Sequence, residues 1–179
     1  MKNYFKVVAS YKGVLEDGQV GTVKEVFLIE SESYPDAYYF ANETAAQATE
    51  DPDSVDILKI ERLDKLTALM INDKIKHVDS VKNGYIELDA SEEENLLYAI
   101  KVQFTIETDK KPKKTIDTYF APADSTVLAI KHVNASIADS PFEHQVVDTK
   151  LTKIDTVLLT TATYQKLISE YDVLKSKLL

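Results

Sequence analysis

Apolar and polar side chains alternate in stretches separated by turn residues, which is the pattern of strands with one buried face. The first part of the chain contains three such stretches, at residues 4–11, 20–30 and 54–63. The turn Glu16-Asp17-Gly18 joins the first two, because Asp-Gly favours the positive φ that a hairpin needs. The pattern therefore predicts a hairpin and a later third strand.

A helix is predicted between the second and third of these strands. Ser33 is a suitable N-cap, and Pro35 fits the first turn, where its missing amide hydrogen costs nothing. Mostly small residues then recur at helical spacing, and the helix should end before Pro52. These residues are Ala37, Phe40, Ala41, Thr44, Ala45 and Ala48. The first part of the chain is thus predicted to have the order β–β–α–β.

The same order returns in the second part of the chain. Residues 98–107 alternate cleanly, a lysine-rich turn follows, and residues 115–121 supply the partner strand. The sequence Pro122-Ala123-Asp124-Ser125 resembles the first helix start, so a helix is predicted over residues 127–138. Strand character then runs through residues 142–159.

Matching positions indicate an internal duplication. Residues 5–7 match 100–102, Ala37 matches Ala129, and residues 60–63 match 151–154. The offset falls only from 95 to 91, as small loop deletions would produce.

The sequence therefore predicts an α+β protein with two tandem β–β–α–β units, antiparallel sheets, helices packed on one face and a C-terminal amphipathic helix. The predicted segments are a first unit (1–70), a connector (71–96), a second unit (97–159) and the final helix (160–179).

The final helix carries a narrow apolar stripe at three- and four-residue spacing. Its residues are Tyr164, Leu167, Ile168, Tyr171, Leu174 and Leu178. Two interpretations stay open: the helix docks on its own protein, or the stripe serves self-association or a partner. The stripe covers fewer than three heptads, which is short for a coiled coil.

The chain resembles an uncharacterised family, domain of unknown function 4494, which is typical of Bacteroidales-type gut bacteria and their phages. The matching motifs are YFKV (4–7), EDG (16–18), VKEVFLIES (23–31), SYPDA (33–37), LYAIKV (97–102) and YFAPAD (119–124). The resemblance implies a bacterial or phage cytoplasmic protein, supplies no catalytic residues, and leaves the C-terminal helix as an extension beyond the family's usual end.

Composition narrows the possibilities further. The chain has no cysteine, which excludes disulfides and thiol chemistry and fits a reducing compartment. No apolar run approaches the about 18–20 residues of a membrane span, and no signal peptide is indicated. A net charge of −9 disfavours duplex nucleic-acid binding. The expected location is therefore the cytoplasm of a bacterial host cell.

No motif for catalysis, a metal or a cofactor is present. The histidines are His77, His132 and His144, and the spacing of His132, Asp139 and His144 matches no established ligand motif. No glycine-rich phosphate loop and no nucleophile elbow occurs. We therefore predict no catalytic residues, metal, cofactor or small-molecule substrate, and no enzymatic activity.

One local feature has functional potential. Lys110, Lys111, Lys113 and Lys114 form a predicted hairpin tip that Lys101 supports, and together they could hold a single nucleic-acid strand by phosphate contacts. Base stacking would fall to exposed tyrosines, of which Tyr38 and Tyr39 lie on the first helix. The simpler alternative is a solvated tip whose charges protect a sheet edge.

Two functional hypotheses follow. The first is a non-catalytic binding or scaffold protein of phage or mobile-element origin that acts through protein–protein contacts or self-association. The alternative is a single-stranded nucleic-acid-binding accessory protein in phage replication or recombination.

Overall fold

The computed structural model describes residues 3–78 and 84–178, with the backbone alone for residues 76–78. The strands are β1 (Asn3–Val14), β2 (Val20–Ser31), β3 (Asp56–Arg62), β4 (Leu66–Leu69), β5 (Lys76–Val78), β6 (Tyr85–Asp89), β7 (Leu96–Ile106), β8 (Lys113–Ala123), β9 (Glu143–Leu151) and β10 (Thr156–Thr160). The helices are α1 (Tyr34–Gln47), α2 (Thr126–Ser136) and α3 (Thr161–Leu178). The predicted α+β class, both hairpins and the C-terminal helix are confirmed.

The chain divides into two compact units that are not consecutive stretches. Unit 1 comprises Met1–Asp64, His77–Asp89 and Ile154–Thr161, and unit 2 comprises Lys65–Lys76, Ala90–Lys153 and Ala162–Leu179. This grouping cuts across the four consecutive segments of the sequence-based division.

Unit 1 contains a sheet with the strand order β3-β1-β2-β10-β6-β5. Its core lies between this sheet and α1, because Phe5, Val7, Phe27 and Ile29 alternate onto one face. The helix approaches closely through Ala37, Ala41 and Ala45, which are all fully buried. The helix begins where predicted, since Ser33 Oγ accepts a hydrogen bond from the Asp36 amide at 3.2 Å.

Unit 2 contains a sheet with the strand order β4-β8-β7-β9, covered on one face by α2. Ile100, Val102 and Phe104 alternate into its core, as the sequence pattern indicated. Ser125 caps α2 by accepting a hydrogen bond from the Leu128 amide at 3.3 Å. The two helices therefore start in the same way.

Each sheet is completed by a strand that follows the third strand of the other unit. The chain leaves β3 of unit 1 and forms β4, which pairs in parallel with β8 of unit 2. It leaves β9 of unit 2 and forms β10, which pairs in parallel with β2 of unit 1. The predicted antiparallel sheets thus each include one parallel pair. The predicted strand over residues 142–159 is really two strands in different sheets, divided at Lys153, whose φ is 61°.

The bulges in the two sheets occupy corresponding positions. β1 shifts register against β3 between Val8 and Ala9, and β7 shifts against β9 between Lys101 and Val102. According to the bulges, Ala9 of β1 corresponds to Val102 of β7, whereas the sequence match aligned Val7 with Val102. Successive side chains of a strand point to alternate faces. A shift of the alignment by two residues therefore keeps the same pattern of apolar and polar positions, and a sequence comparison does not detect it. A common origin of the units stays a prediction.

The parallel strands are held at equivalent points by side chains that bind backbone amides. In unit 1, Asp155 Oδ2 accepts a hydrogen bond from the Val26 amide at 2.8 Å, while the Asp155 amide donates to the Val26 carbonyl. In unit 2, Thr67 Oγ1 accepts from the Thr118 amide at 3.0 Å. A hydrogen-bond acceptor is needed at both places, but a negative charge is not, because the Thr67 hydroxyl is uncharged. Burial raises the pKa of Asp155, and nearby Asp89 raises it further.

We predict that Asp155→Asn leaves the protein at least as stable as the wild type at pH 7, because the amide oxygen still accepts from Val26. A carboxyl group whose pKa is raised in the folded state stabilises that state at low pH. This stabilisation is lost as the pH rises through the raised pKa, so removing the charge helps most at neutral pH. Asp155→Ala, the matched comparison, should lose about 1–3 kcal/mol, since Val26 N–H is left unpaired. Urea unfolding at pH 7 measures both, and equal losses for Asn and Ala would contradict the assignment.

Candidate functional site

The lysines predicted to form a hairpin tip do so. Lys110 and Lys111 lie in the exposed turn between β7 and β8, and Lys113 and Lys114 begin β8. The turn is closed by a hydrogen bond from the Thr108 hydroxyl to the Lys111 carbonyl. All four lysines are exposed, so their charges are available to a partner.

Lys101 lies on the face of the unit 2 sheet opposite α2, because its neighbours Ile100 and Val102 point into the core. Lys114 pairs with Thr105, which shares that face. Four residues along β7 separate the two positions, a distance of about 13 Å. The two cations thus lie on one exposed sheet surface, on which Ile116 between them is 57% exposed.

The stripe of α3 lies against its own unit. Leu167 and Leu174 are buried, and Tyr164, Tyr171 and Leu178 are half-buried. The helix is also tied down near its end by two ion pairs, Lys175–Asp73 at 2.8 Å and Lys177–Asp139 at 2.9 Å. A role of this face in binding a partner stays a prediction.

His132 lies beneath α3. Its ring meets the ring of Tyr171 edge-on, with the ring centroids 5.5 Å apart. The Pro122 carbonyl accepts a hydrogen bond from the ring. Nε2 is buried and has no hydrogen-bond partner among the described residues. The donor to Pro122 is therefore Nδ1, and the ring is held as the neutral tautomer whose Nε2 carries a free electron pair. Burial lowers the pKa of His132, which keeps it neutral.

Two clefts flank Tyr171. One has a volume of about 470 Å³ and is mainly apolar, with Leu69, Ile71 and Ile137 facing Leu167 and Leu174 of α3. The other, of about 460 Å³, is more polar. Its charged and polar lining includes Asn72, Lys74, Glu94, Asp124, Lys131 and His132. The packing of α3 on unit 2 is therefore incomplete on both sides of this tyrosine.

A group of exposed aromatic side chains lies on α1, and we call it the tyrosine face (Tyr34, Tyr38 and Tyr39). Each is about half exposed, at 50%, 50% and 49%. Tyr34 also packs edge-on against Phe5 at 4.9 Å, which fixes the start of the face to the core. The sequence pointed to Tyr38 and Tyr39 as helical but not to Tyr34 as their neighbour, although its four-residue spacing from Tyr38 carries that signal.

The tyrosine face lies in strongly acidic surroundings. Glu32 and Asp36 are exposed beside it, and their charges help to raise the pKa of nearby Tyr85 to about 12, after burial of that ring. Phe40 of α1 packs on Tyr85 with the ring centroids 4.2 Å apart. Glu32 and Asp36 thus bring negative charge to the start of α1, where Tyr34 lies.

The net charge of the chain is divided unequally between the units. Unit 1 holds 17 of the 30 acidic residues and 7 of the 21 basic ones, which gives −10, while unit 2 holds 13 acidic and 14 basic residues, which gives +1. The acidic character that disfavours nucleic acid is thus a property of unit 1. The lysine hairpin belongs to unit 2.

The histidines and acids of the described residues form no group of three or more that could hold a metal ion. This includes the set of His132, Asp139 and His144 considered from the sequence. The side chain of His77 lies outside the described part. Within that same part, no helix is both long and apolar enough to span a membrane.

This architecture defines a class of α+β protein: it has two units, and each sheet includes a strand that follows the third strand of the other unit. A family model described as Domain of unknown function (DUF4494) matches residues 3–160. The chain belongs to this family, as the sequence motifs indicated, and α3 lies just beyond the match. No curated protein matches the chain.

We predict that unit 2 loses stability as the pH falls below 6.5, the ordinary pKa of histidine. His132 is neutral while α3 is docked, and it takes up a proton once α3 is released. The charged residues of the adjoining cleft are Lys74, Lys131, Glu94 and Asp124, two of each sign. His132→Gln, whose neutral side chain does not titrate, should flatten the fall in unfolding free energy between pH 7.5 and 5.5.

His144→Gln is the matched control, since His144 lies on β9 beside Phe104 and not under α3. Urea titrations at several pH values measure all three proteins. A fall that persists in His132→Gln and vanishes in His144→Gln would contradict the assignment.

Proposed function

We propose that this chain is a non-catalytic binding protein of phage or mobile-element origin that works in the bacterial cytoplasm through protein–protein contacts. The observation that carries the proposal is the tyrosine face of α1. Tyrosine and arginine are enriched at the energetic centres of interfaces, because tyrosine combines a large apolar ring with a polar tip. Three half-exposed tyrosines within two helical turns form such a centre.

The surroundings of the tyrosine face select a basic partner. Unit 1 carries a net charge of −10, and the exposed Glu32 and Asp36 stand two residues before and two residues after Tyr34 in the sequence. An arginine or lysine side chain can rest on a tyrosine ring through a cation–π contact and also meet a carboxylate. A basic protein segment, above all one rich in arginine, therefore fits this surface.

The test is to pan a display library of peptides encoded by the source genome against the immobilised wild-type chain and against Tyr38→Ser/Tyr39→Ser. We expect enriched peptides to be rich in arginine and to bind the double variant at least about tenfold more weakly, because the loss of one hot-spot side chain costs about 2 kcal/mol. Isothermal titration calorimetry with the enriched peptides measures the loss.

The matched control is Val127→Ser/Leu128→Ser, which removes exposed apolar side chains from the corresponding start of α2. It should leave peptide binding unchanged. Enrichment of acidic or neutral peptides, or equal losses in both double variants, would refute the assignment of the surface.

A second candidate function, the binding of single-stranded nucleic acid, is favoured by the unequal charge. The lysine hairpin and Lys101 lie in unit 2, whose net charge is +1, whereas the excess of acidic residues belongs to unit 1. The contacts would be made mainly to phosphates.

For this candidate, the expected result is salt-sensitive binding of labelled single-stranded oligonucleotides in fluorescence anisotropy. The binding is salt-sensitive because each phosphate contact releases counterions. It should disappear when Lys110, Lys111, Lys113 and Lys114 are changed to Glu. Lys6→Glu/Lys59→Glu in unit 1 is the control and should bind like the wild type. Absence of binding at low salt, where phosphate contacts are strongest, would exclude the candidate.

A further inference from the structure

The C-terminal helix is a separable addition to the family fold. The family match ends at residue 160, and α3 begins at Thr161. No linker residue separates β10 from α3, because β10 ends at Thr160. Short connections favour exchange of a terminal element between copies. The contacts at this junction include the hydrogen bonds from the amide and hydroxyl of Thr161 to the Gly84 carbonyl and from the Thr160 amide to Glu30 Oε1.

The groove that receives α3 is complementary to an amphipathic helix. Its floor is formed by Leu69, Ile71 and Ile137, and Leu167 and Leu174 fill it from positions about two turns apart on α3. The fit is incomplete, because clefts of about 470 and 460 Å³ remain on the two sides of Tyr171. These open clefts leave α3 without packed neighbours on the flanks beside Tyr171, so the docked helix makes fewer dispersion contacts than an enclosed core element.

The polar contacts that hold α3 are also weak. Asp73 and Asp139 are 44% and 89% exposed, and ion pairs so exposed add little to stability because solvent screens their charges. The Lys175 ammonium beside Asp73 holds the pKa of that carboxyl below its usual value, so the pair stays charged at neutral pH. The position of α3 is thus specified by charges that can be reversed without altering the apolar groove.

We propose that α3 is exchanged between two copies of this chain, the helix of each copy filling the groove of the other. A second copy supplies the same residues in the same arrangement, so every contact made within one chain can be made between two. Within one chain the tether gives α3 a high effective concentration, which keeps the exchanged dimer a minor form in dilute solution. This proposal is independent of the tyrosine face.

The test uses two full-length variants with opposite charge reversals. Lys175→Glu/Lys177→Glu repels Asp73 and Asp139 when α3 docks in its own chain, and Asp73→Lys/Asp139→Lys repels Lys175 and Lys177. Reciprocal exchange between the two variants makes all four pairs opposite in charge again. We expect each variant alone to have a one-chain mass, and the mixture to form a two-chain species at least about tenfold more readily than either variant alone.

Native mass spectrometry identifies the mixed species, and light scattering follows its dependence on concentration. One control carries all four reversals in a single chain, restores pairing within that chain and should behave like the wild type. A second control mixes Lys110→Glu/Lys111→Glu with Glu50→Lys/Asp53→Lys, which have the same net charges but lie away from α3, and should give no dimer. Failure of the first mixture to dimerise, or equal dimerisation of the second, would overturn the proposal.

Discussion

Backbone pairing between β2 and β10, and between β8 and β4, is the interaction on which the rest of this structure depends. Each unit builds a hairpin, a helix and a third strand from one continuous stretch, but its sheet is extended on the other side by a strand from another part of the chain. This strand is β10, from later in the chain, in unit 1, and β4, from earlier in the chain, in unit 2. The acceptors Asp155 and Thr67 secure these strands at equivalent backbone amides. The helices and hairpins that carry the surfaces considered for function belong to the units that this pairing completes.

Much of the fold could be predicted from the sequence because local patterns control it. The Asp17-Gly18 turn, the alternation of Ile100, Val102 and Phe104, and the N-caps Ser33 and Ser125 all act over a few residues. The strand β4 could not be predicted, since Leu66–Leu69 is short and its parallel partner β8 lies about fifty residues further along the chain. Parallel pairing has no local turn signal.

The surfaces were predictable in part for the same reason. The exposure of Lys110 to Lys114 follows from a turn, and the helical spacing of Leu167 and Leu174 from a periodicity. What these features contact depends on tertiary structure. The hydrogen bond of the His132 ring depends on Pro122 and its ring packing depends on Tyr171, which lie ten and thirty-nine residues away in the sequence. The separation of charge between the units depends on which segments join each sheet, and the linear order of the residues conceals it.

The strand exchange also affects how the protein can be made. During synthesis, β1, β2, α1 and β3 emerge first, yet the open edge of β2 stays without β10 until residue 160 has left the ribosome. At about 5–20 residues per second, the strand bearing Phe27 and Ile29 waits several seconds with one edge unpaired. Such an edge is a template for pairing with other chains. Chaperones that shield nascent strands, and codon usage between residues 62 and 156, are therefore expected to influence its yield.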